Sequence, residues 1–197
     1  MTELRADLEL IQEWVAPGAR VLDLACGDGT LLKYLADHKH VSGYGLEINP
    51  EEINQCIAKG VDVIEQNIDD GLSNFPDTSF DVVIMSQALQ ALHRPDKALQ
   101  EMLRVADECI ITFPNFAYWK HRLHLGLKGE MPLSQALPHE WYDTPNIHLS
   151  TFRDFARLCE KFGYQITDSV VGRGDAWRIV RHWKNLLGET AIFRVKR

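Results

Sequence analysis

The sequence has few cysteines, and none of them form a short motif. Its 197 residues include four, and they are widely scattered: Cys26, Cys56, Cys109 and Cys159. Zinc sites and thioredoxin-like sites need cysteines close together in the sequence, so neither kind of site is indicated. We interpret the four thiols as small buried residues of a protein from a reducing compartment, and we expect no metal ion.

Long apolar runs and an excess of positive charge are also missing. The longest apolar runs are far shorter than the ~20 residues that cross a bilayer. The first residues do not form the charged and apolar segments of a signal peptide. The formal net charge is −7, whereas nucleic-acid-binding surfaces are usually basic. We therefore expect a cytoplasmic protein that binds neither membranes nor nucleic acid.

The length and composition are typical of one globular domain. Hydrophobic residues make up 45% of the chain and charged residues 25%, and no repeat or low-complexity linker divides it. We predict a single domain over residues 1–197. Within it we expect a cofactor-binding half at residues 1–115 and a lid or acceptor half at residues 116–197.

Short apolar segments alternate with amphipathic ones, which predicts an α/β fold. The predicted strands are residues 20–24, 42–46, 61–64, 80–85, 109–113, 164–171 and 191–195. The predicted helices are residues 3–15, 30–37, 49–60, 95–105, 117–127 and 151–162. This order indicates a mostly parallel, seven-stranded sheet with helices on both faces. A proline-punctuated loop is expected at 128–149, and residues 172–190 have no assignment.

Small and acidic residues follow the first three predicted strands. The segment Asp23–Gly29 follows the first, Glu47 ends the second, and Asn67–Asp69 follows the third. Ligands of such sheets bind at the carboxyl ends of the strands. Gly27 and Gly29 would let a ligand approach the backbone. Glu47 can accept hydrogen bonds from two ribose hydroxyls, and the Asn67–Asp69 segment can bond an adenine amino group.

A dinucleotide is the rival ligand for the first loop. It requires the pattern G-x-G-x-x-G, but Thr30 or Leu32 stands at the third glycine position, depending on the register. Asp28 would also repel a pyrophosphate, whereas S-adenosylmethionine (SAM) has no phosphate and carries an ammonium group. Gly27 and Glu47 alone also suit a simple turn and a solvated strand end. Their joint placement with Asp23 favours SAM.

Two segments, Val21–Gly29 and Tyr44–Ile48, resemble motifs I and II of class I SAM-dependent methyltransferases. Further segments resemble the methionine biosynthesis protein MetW family: Leu72, Phe75–Asp81, Met85–Gln90, Phe113–Phe116 and Trp141–His148. The resemblance covers about residues 4–195 and implies a Rossmann-like fold that binds SAM or S-adenosylhomocysteine. The binding residues assigned from the strand ends and from this resemblance are Asp23, Ala25, Cys26, Gly27, Gly29, Glu47, Ile48, Asn67, Ile68, Asp69 and Ser86.

The same resemblance implies a role in methionine biosynthesis. MetW-like proteins act with a homoserine O-acyltransferase of the MetX type, which makes that enzyme the expected partner. The resemblance leaves open whether the protein transfers a methyl group or acts as an activating or regulatory subunit.

Two residues depart from the superfamily pattern. Ala25 replaces a glycine, which is tolerable at negative φ but costly at positive φ, and Asn67 replaces an aspartate.

No residue stands out as a general base. Methyl transfer from a sulfonium depends mainly on proximity and in-line geometry, and a base is needed only if the acceptor must lose a proton early. The weak candidates are Gln87, His93, Tyr142 and His148. His93 also suits a solvated helix entry. Tyr142, Asp143 and His148 belong to a loop that either closes over the cofactor, binds a partner or is simply pinned.

Overall fold

In the computed structural model, which describes residues 4–173 and 178–197, seven strands and seven helices are observed. The helices are α1 (Ala6–Trp14), α2 (Thr30–Lys39), α3 (Pro50–Ala58), α4 (Pro95–Val105), α5 (Trp119–Lys128), α6 (Phe152–Phe162) and α7 (Lys184–Leu187). The strands are β1 (Arg20–Leu24), β2 (Ser42–Glu47), β3 (Val63–Glu65), β4 (Phe80–Ser86), β5 (Ala106–Pro114), β6 (Gln165–Gly172) and β7 (Thr190–Lys196). Short 3₁₀ helices span Ile68–Asp70 and Leu89–Ala91.

All seven strands join one sheet in the order β3-β2-β1-β4-β5-β7-β6. Strands β1 to β5 pair in parallel, and β7 lies antiparallel between β5 and β6. The mostly parallel, seven-stranded sheet predicted from the alternation is therefore confirmed. The strand order reverses between β1 and β4, and a ligand of an open α/β sheet binds outside the carboxyl ends of the strands at such a point.

Buried side chains form one cluster on each face of the sheet. Along β4, Val83 and Met85 belong to the cluster that includes residues of α4 and α6. Val82 and Ile84 belong to the cluster that includes residues of α1 and α2. Successive side chains of a strand point to opposite faces, so a strand covered on both faces must be apolar throughout. This explains why the central strands read as continuous apolar runs.

The predicted boundaries agree with the structure to within a few residues. Helix α4 matches its prediction, whereas β5 begins at Ala106, three residues early, because Ala106 pairs with Phe80 at the start of β4. The unassigned stretch contains α7, although residues 174–177 lie outside the described part. No described helix is both long and apolar enough to cross a membrane.

Candidate ligand site

The bend after β1 is built from left-handed backbone. Ala25, Gly27 and Gly29 have φ values of 55°, 56° and 73°, and α2 begins directly afterwards at Thr30. Glycine adopts this conformation freely, but alanine does so at a cost of roughly 1 kcal/mol. Of the two possibilities for Ala25, the structure shows positive φ, which is the costly one for an alanine. We call this bend and the end of β2, residues 23–29 and 47–49, the cradle.

The Glu47 carboxylate faces the bend and holds the cradle together. Its Oε2 accepts a hydrogen bond from the Gly27 N–H at 2.9 Å. Its Oε1 accepts from the N–H groups of Ile48 and Asn49 at 2.8 and 3.0 Å. A carboxylate offers about four acceptor positions. Three are used by the backbone, which leaves Oε2 able to accept one more bond from a ribose hydroxyl.

The Asp23 carboxylate is a buried acid without a hydrogen-bond donor in the described part of the chain. Asp23 is only 3% exposed. Burial, and secondarily the charge of Glu47, raises its pKa to about 7, although Arg5 opposes this rise. An ionised group in such a place is unfavourable unless it is paired. A cationic ligand group would pair it, and the ammonium and sulfonium of SAM fit this requirement.

Asp28 is not available to such a cation. Lys59, which follows α3, forms an ion pair with its carboxylate and donates to the Asp28 carbonyl at 2.9 Å. Thr30 also donates to the carboxylate through its N–H and its hydroxyl. Burial alone would raise the pKa of Asp28, but these bonds lower it. The sequence argument from an acidic Asp28 therefore loses its basis, and the acidic groups that remain at the cradle include Asp23 and Glu47.

The side chains predicted to bind adenine form hydrogen bonds within the protein. The Asn67 side chain accepts from the Asp69 N–H at 3.0 Å. The Asp69 carboxylate accepts from the His93 N–H at 3.0 Å and lies 2.7 Å from His93 Nδ1. Burial alone would raise the pKa of Asp69, but these contacts lower it. Ile48, beside Glu47, is 58% exposed and offers an apolar surface for a ring.

Sequence reasoning missed the contribution of the N-terminal helix. Arg5 pairs with Asp7 through Nε at 2.5 Å and donates to the Ser86 hydroxyl at 2.9 Å. Its charge also acts on Asp23. The apolar spacing in residues 3–15 predicts a helix, but it does not indicate which strand end the first turn of that helix reaches. No local signal could have found this contact.

A cavity of about 370 Å³ lies at the ends of β4 and β5. Arg5 belongs to its wall, together with Gln87, which directly follows Ser86. Gln87, like Ala25, is one of five described non-glycine residues in a left-handed conformation, with φ at 58°. Its N–H donates to the Thr112 carbonyl and hydroxyl, both at 3.0 Å. Backbone strain of this kind clusters at functional sites.

The four candidate bases do not lie together in the structure. Of the four, only Gln87 lines the cavity. His93 contacts Asp69, and its side chain is 78% exposed. Tyr142 is 70% exposed and packs edge-on against Trp141. The N–H of His148 donates to the Gln90 carbonyl at 2.9 Å, which pins the long loop. No three potential metal ligands cluster among residues 4–173 and 178–197.

Solved structures share this architecture. A SAM-dependent methyltransferase from Archaeoglobus fulgidus superposes with a TM-score of 0.73 at 16% identity, over 98% of this chain and 92% of that one. A SAM-dependent methyltransferase from Thermotoga maritima, described as a possible histamine N-methyltransferase, gives 0.70 at 15% identity, over 97% and 87%. At these identities the likeness concerns the fold. The fold is that of the class I SAM-dependent methyltransferases.

Sequence comparison identifies the family within this class. The model of the family described as "Methionine biosynthesis protein MetW" matches residues 5–195, and the chain belongs to that family. The bifunctional methionine biosynthesis protein MetXA/MetW of Rhodopirellula baltica is 33% identical over 98% of this chain. The match covers 33% of that protein, so this chain spans about a third of its relative's length.

Proposed function

We propose that this protein binds SAM or S-adenosylhomocysteine and modulates a homoserine O-acyltransferase of the MetX type as its regulatory subunit. The observation that carries this proposal is the MetXA/MetW relative, in which a segment similar to nearly all of this chain is joined to about twice its length of other sequence. Joining two proteins in one chain gives each a high effective concentration near the other. The joined relative therefore supports association between the separate chains.

The cradle supports the ligand half of the proposal. SAM supplies a methyl group on an activated sulfonium, and S-adenosylhomocysteine is the product left after transfer. In this cradle Asp23 would pair with the ligand's positive charge, and Glu47 would accept from the ribose. Ile48 would cover one face of the adenine ring.

The position of the titratable side chains favours binding over turnover. Glu47 accepts hydrogen bonds from the backbone of the cradle, and Asp23 would pair with the ligand's positive charge. Arg5, beside Ser86, is a cation. His93 is directed to Asp69 and is largely in solvent. A general base must come within hydrogen-bond reach of the proton that it removes, and the bonds that Glu47 and His93 already make leave neither of them free to do so at the cradle.

The test is the rate of a purified MetX-type acyltransferase with and without this protein, at several concentrations of SAM and S-adenosylhomocysteine. We expect a complex on size-exclusion chromatography, and we expect the acyl-transfer rate to change on addition and to respond to the ligand. The Glu47→Gln variant should lose the response to ligand. Glu160→Gln, on the exposed side of α6, is the matched control. An unchanged rate together with the absence of a complex would contradict the proposal.

A second candidate function is methyl transfer to a small polar metabolite. The cavity next to Ser86 favours it, because an acceptor must lie beside the methyl group. Incubation with methyl-labelled SAM and a broad panel of small polar metabolites should then yield S-adenosylhomocysteine and a labelled product. Lack of turnover over the whole panel, with SAM binding intact, would exclude it for that panel.

A further inference from the structure

Helix α5 directs its apolar side chains away from the protein. Trp119, Leu123 and Leu127 are exposed, Leu127 by as much as 77%, and their spacing of four residues places them on one face of the helix. The side chain that α5 buries is instead a polar one, His121, whose Nε2 lies 3.0 Å from the Ser134 hydroxyl oxygen. A surface helix normally buries its apolar stripe, so α5 shows the reverse arrangement.

A glycine lies on the same face of α5. Gly126 follows Leu123 by three residues and Trp119 by seven, which is the spacing of a single helix face. A Cβ atom at Gly126 would meet no other atom within 4 Å, so packing in the described chain does not require a glycine there. Glycine destabilises a helix interior relative to alanine, but it lets another backbone approach closely. We call Trp119, Leu123, Gly126 and Leu127 the α5 face.

Positive charge borders the α5 face. The helix contains Lys120, Arg122 and Lys128 and no acidic residue, although the net charge of the whole chain is −7. Arg122 also lines a shallow groove with Arg153 and Arg157 of α6. We call these three residues the arginine groove. None of the three forms an ion pair with another described residue.

The carboxylate in the lining of this groove belongs to Asp154 and has a partner of its own. It accepts a hydrogen bond from the Thr151 hydroxyl at 2.6 Å. The guanidinium groups of the groove therefore keep their capacity for other carboxylates. A guanidinium presents a planar fork that binds a carboxylate through two hydrogen bonds, so the groove suits acidic side chains of another protein.

We propose that the α5 face and the arginine groove together form the docking surface for the MetX-type acyltransferase, which contributes an apolar patch bordered by carboxylates. This inference rests on the proposed function and adds to it the surface that makes the contact. Exposed contiguous apolar patches mark protein contacts, and such contacts have an apolar centre and a polar rim. The joined MetXA/MetW relative supports the choice of partner, because its similarity extends over 98% of this chain.

A second copy of this chain fits the surface less well. In a twofold dimer the same patch of both subunits meets, so the cations of two α5 helices would lie against each other. Opposed like charges are costly at an interface. An anionic membrane is also disfavoured, since it would repel a chain with a net charge of −7. A partner with acidic side chains avoids both penalties.

The experiment measures the affinity of the full chain for a purified MetX-type acyltransferase by calorimetry. We expect Leu123→Glu and Leu127→Glu each to weaken the complex about tenfold or more, because each places a carboxylate in the apolar contact. Ile57→Glu on α3 is the matched control, since Ile57 is 63% exposed and lies outside the α5 face. It should bind like the wild type. Added salt should weaken the wild-type complex, because it screens the arginine groove.

Gly126→Ala gives a test that does not depend on damage to the fold. Alanine should raise the midpoint of thermal unfolding of the free chain by about 2–4 °C. It should nevertheless weaken the complex about fivefold or more, because its Cβ would occupy the space of the approaching partner. No residue of α5 lines the cavity at the ends of β4 and β5, so SAM binding should stay at the wild-type level in every α5 variant.

Wild-type affinity of both leucine variants would overturn the docking surface and leave the acyltransferase proposal standing. Absence of a complex with the wild-type chain would contradict both. A dimer of the free chain in light scattering that Leu127→Glu abolishes would assign the face to a second copy and overturn the proposal. Binding to phosphatidylglycerol vesicles that Leu127→Glu abolishes would overturn it in favour of a membrane. Unchanged affinity of Gly126→Ala would overturn the close approach at Gly126.

Discussion

The Glu47 carboxylate accepts a hydrogen bond from the Gly27 N–H at 2.9 Å, across 20 residues of sequence. This bond ties the end of β2 to the bend after β1. The bend lies next to the point between β1 and β4 where the strand order reverses. The two halves of the cradle are thus joined before any ligand arrives. A preformed site loses less conformational freedom on binding, so the cost of binding a nucleoside is reduced in advance.

Glu47→Gln is expected to weaken the binding of SAM and S-adenosylhomocysteine by roughly ten- to a hundredfold. The amide replaces one accepting oxygen by an NH₂ donor, so the ribose hydroxyl or the backbone N–H groups lose a charged acceptor, a loss of about 1.5–3 kcal/mol. Isothermal titration calorimetry measures the change directly. Glu160→Gln on α6 serves as the control and should bind like the wild type. Equal affinities of all three proteins would show that Glu47 has no part in binding.

SAM binding is expected to depend on pH through Asp23, whose pKa is about 7 in the ligand-free protein. A cationic ligand favours the ionised carboxylate, so below pH 7 a proton must leave on binding. The affinity should therefore fall by about tenfold for each pH unit below 7 and level off above it. Titrations in buffers from acid to mildly alkaline pH test this. Asp23→Asn should flatten the profile, and an unchanged slope in that variant would assign the proton elsewhere.

The same carboxylate is expected to lower the stability of the ligand-free protein at neutral pH. Its pKa rises from 3.8 in the unfolded chain to about 7 in the fold, so the folded state retains a proton that the unfolded state releases. The free energy of unfolding should therefore decrease as the pH rises from about 4 to about 7, and then stay level. At about 1.4 kcal/mol per pKa unit, the loss amounts to at most about 4 kcal/mol.

Asp23→Asn removes this ionisation and should stabilise the protein at pH 8 more than at pH 4. Urea denaturation at both pH values, with circular dichroism as the readout, measures the two differences. A stability change of equal size at both pH values would mean that the asparagine acts through packing rather than through charge.

Ala25→Gly is expected to be neutral or to stabilise the protein by up to about 1 kcal/mol. Glycine relieves the left-handed strain at φ 55°, and this gain offsets its greater freedom in the unfolded chain. Ala36→Gly in α2 is expected instead to lower the free energy of unfolding by about 1 kcal/mol, because Ala36 is exposed in a regular helix. Thermal unfolding of both variants tests the contrast. Destabilisation of similar size in both would refute the role of φ at Ala25.

Local patterns in the sequence predicted most of the fold and the centre of the cradle. Apolar strands alternating with amphipathic helices imply a parallel sheet, and such a sheet brings its strand ends to one edge. Gly27 and Glu47 were therefore placed together by topology alone. This reasoning works because the spacing of apolar residues in a strand or helix indicates which of its faces is buried. The long loop between α5 and α6 has no such periodicity, so its course over the cavity could not be predicted.

The sequence by itself determined the class of fold, the family and the residues around the bend after β1, since these depend on neighbouring residues and regular spacing. Only the tertiary structure decided which distant side chains meet: Arg5 with Ser86, Lys59 with Asp28, and His93 with Asp69. It also decided the raised pKa of Asp23, because that shift comes from burial and from Glu47. Contacts and burial of this kind arise from the packing of whole elements, and no local run of residues encodes them.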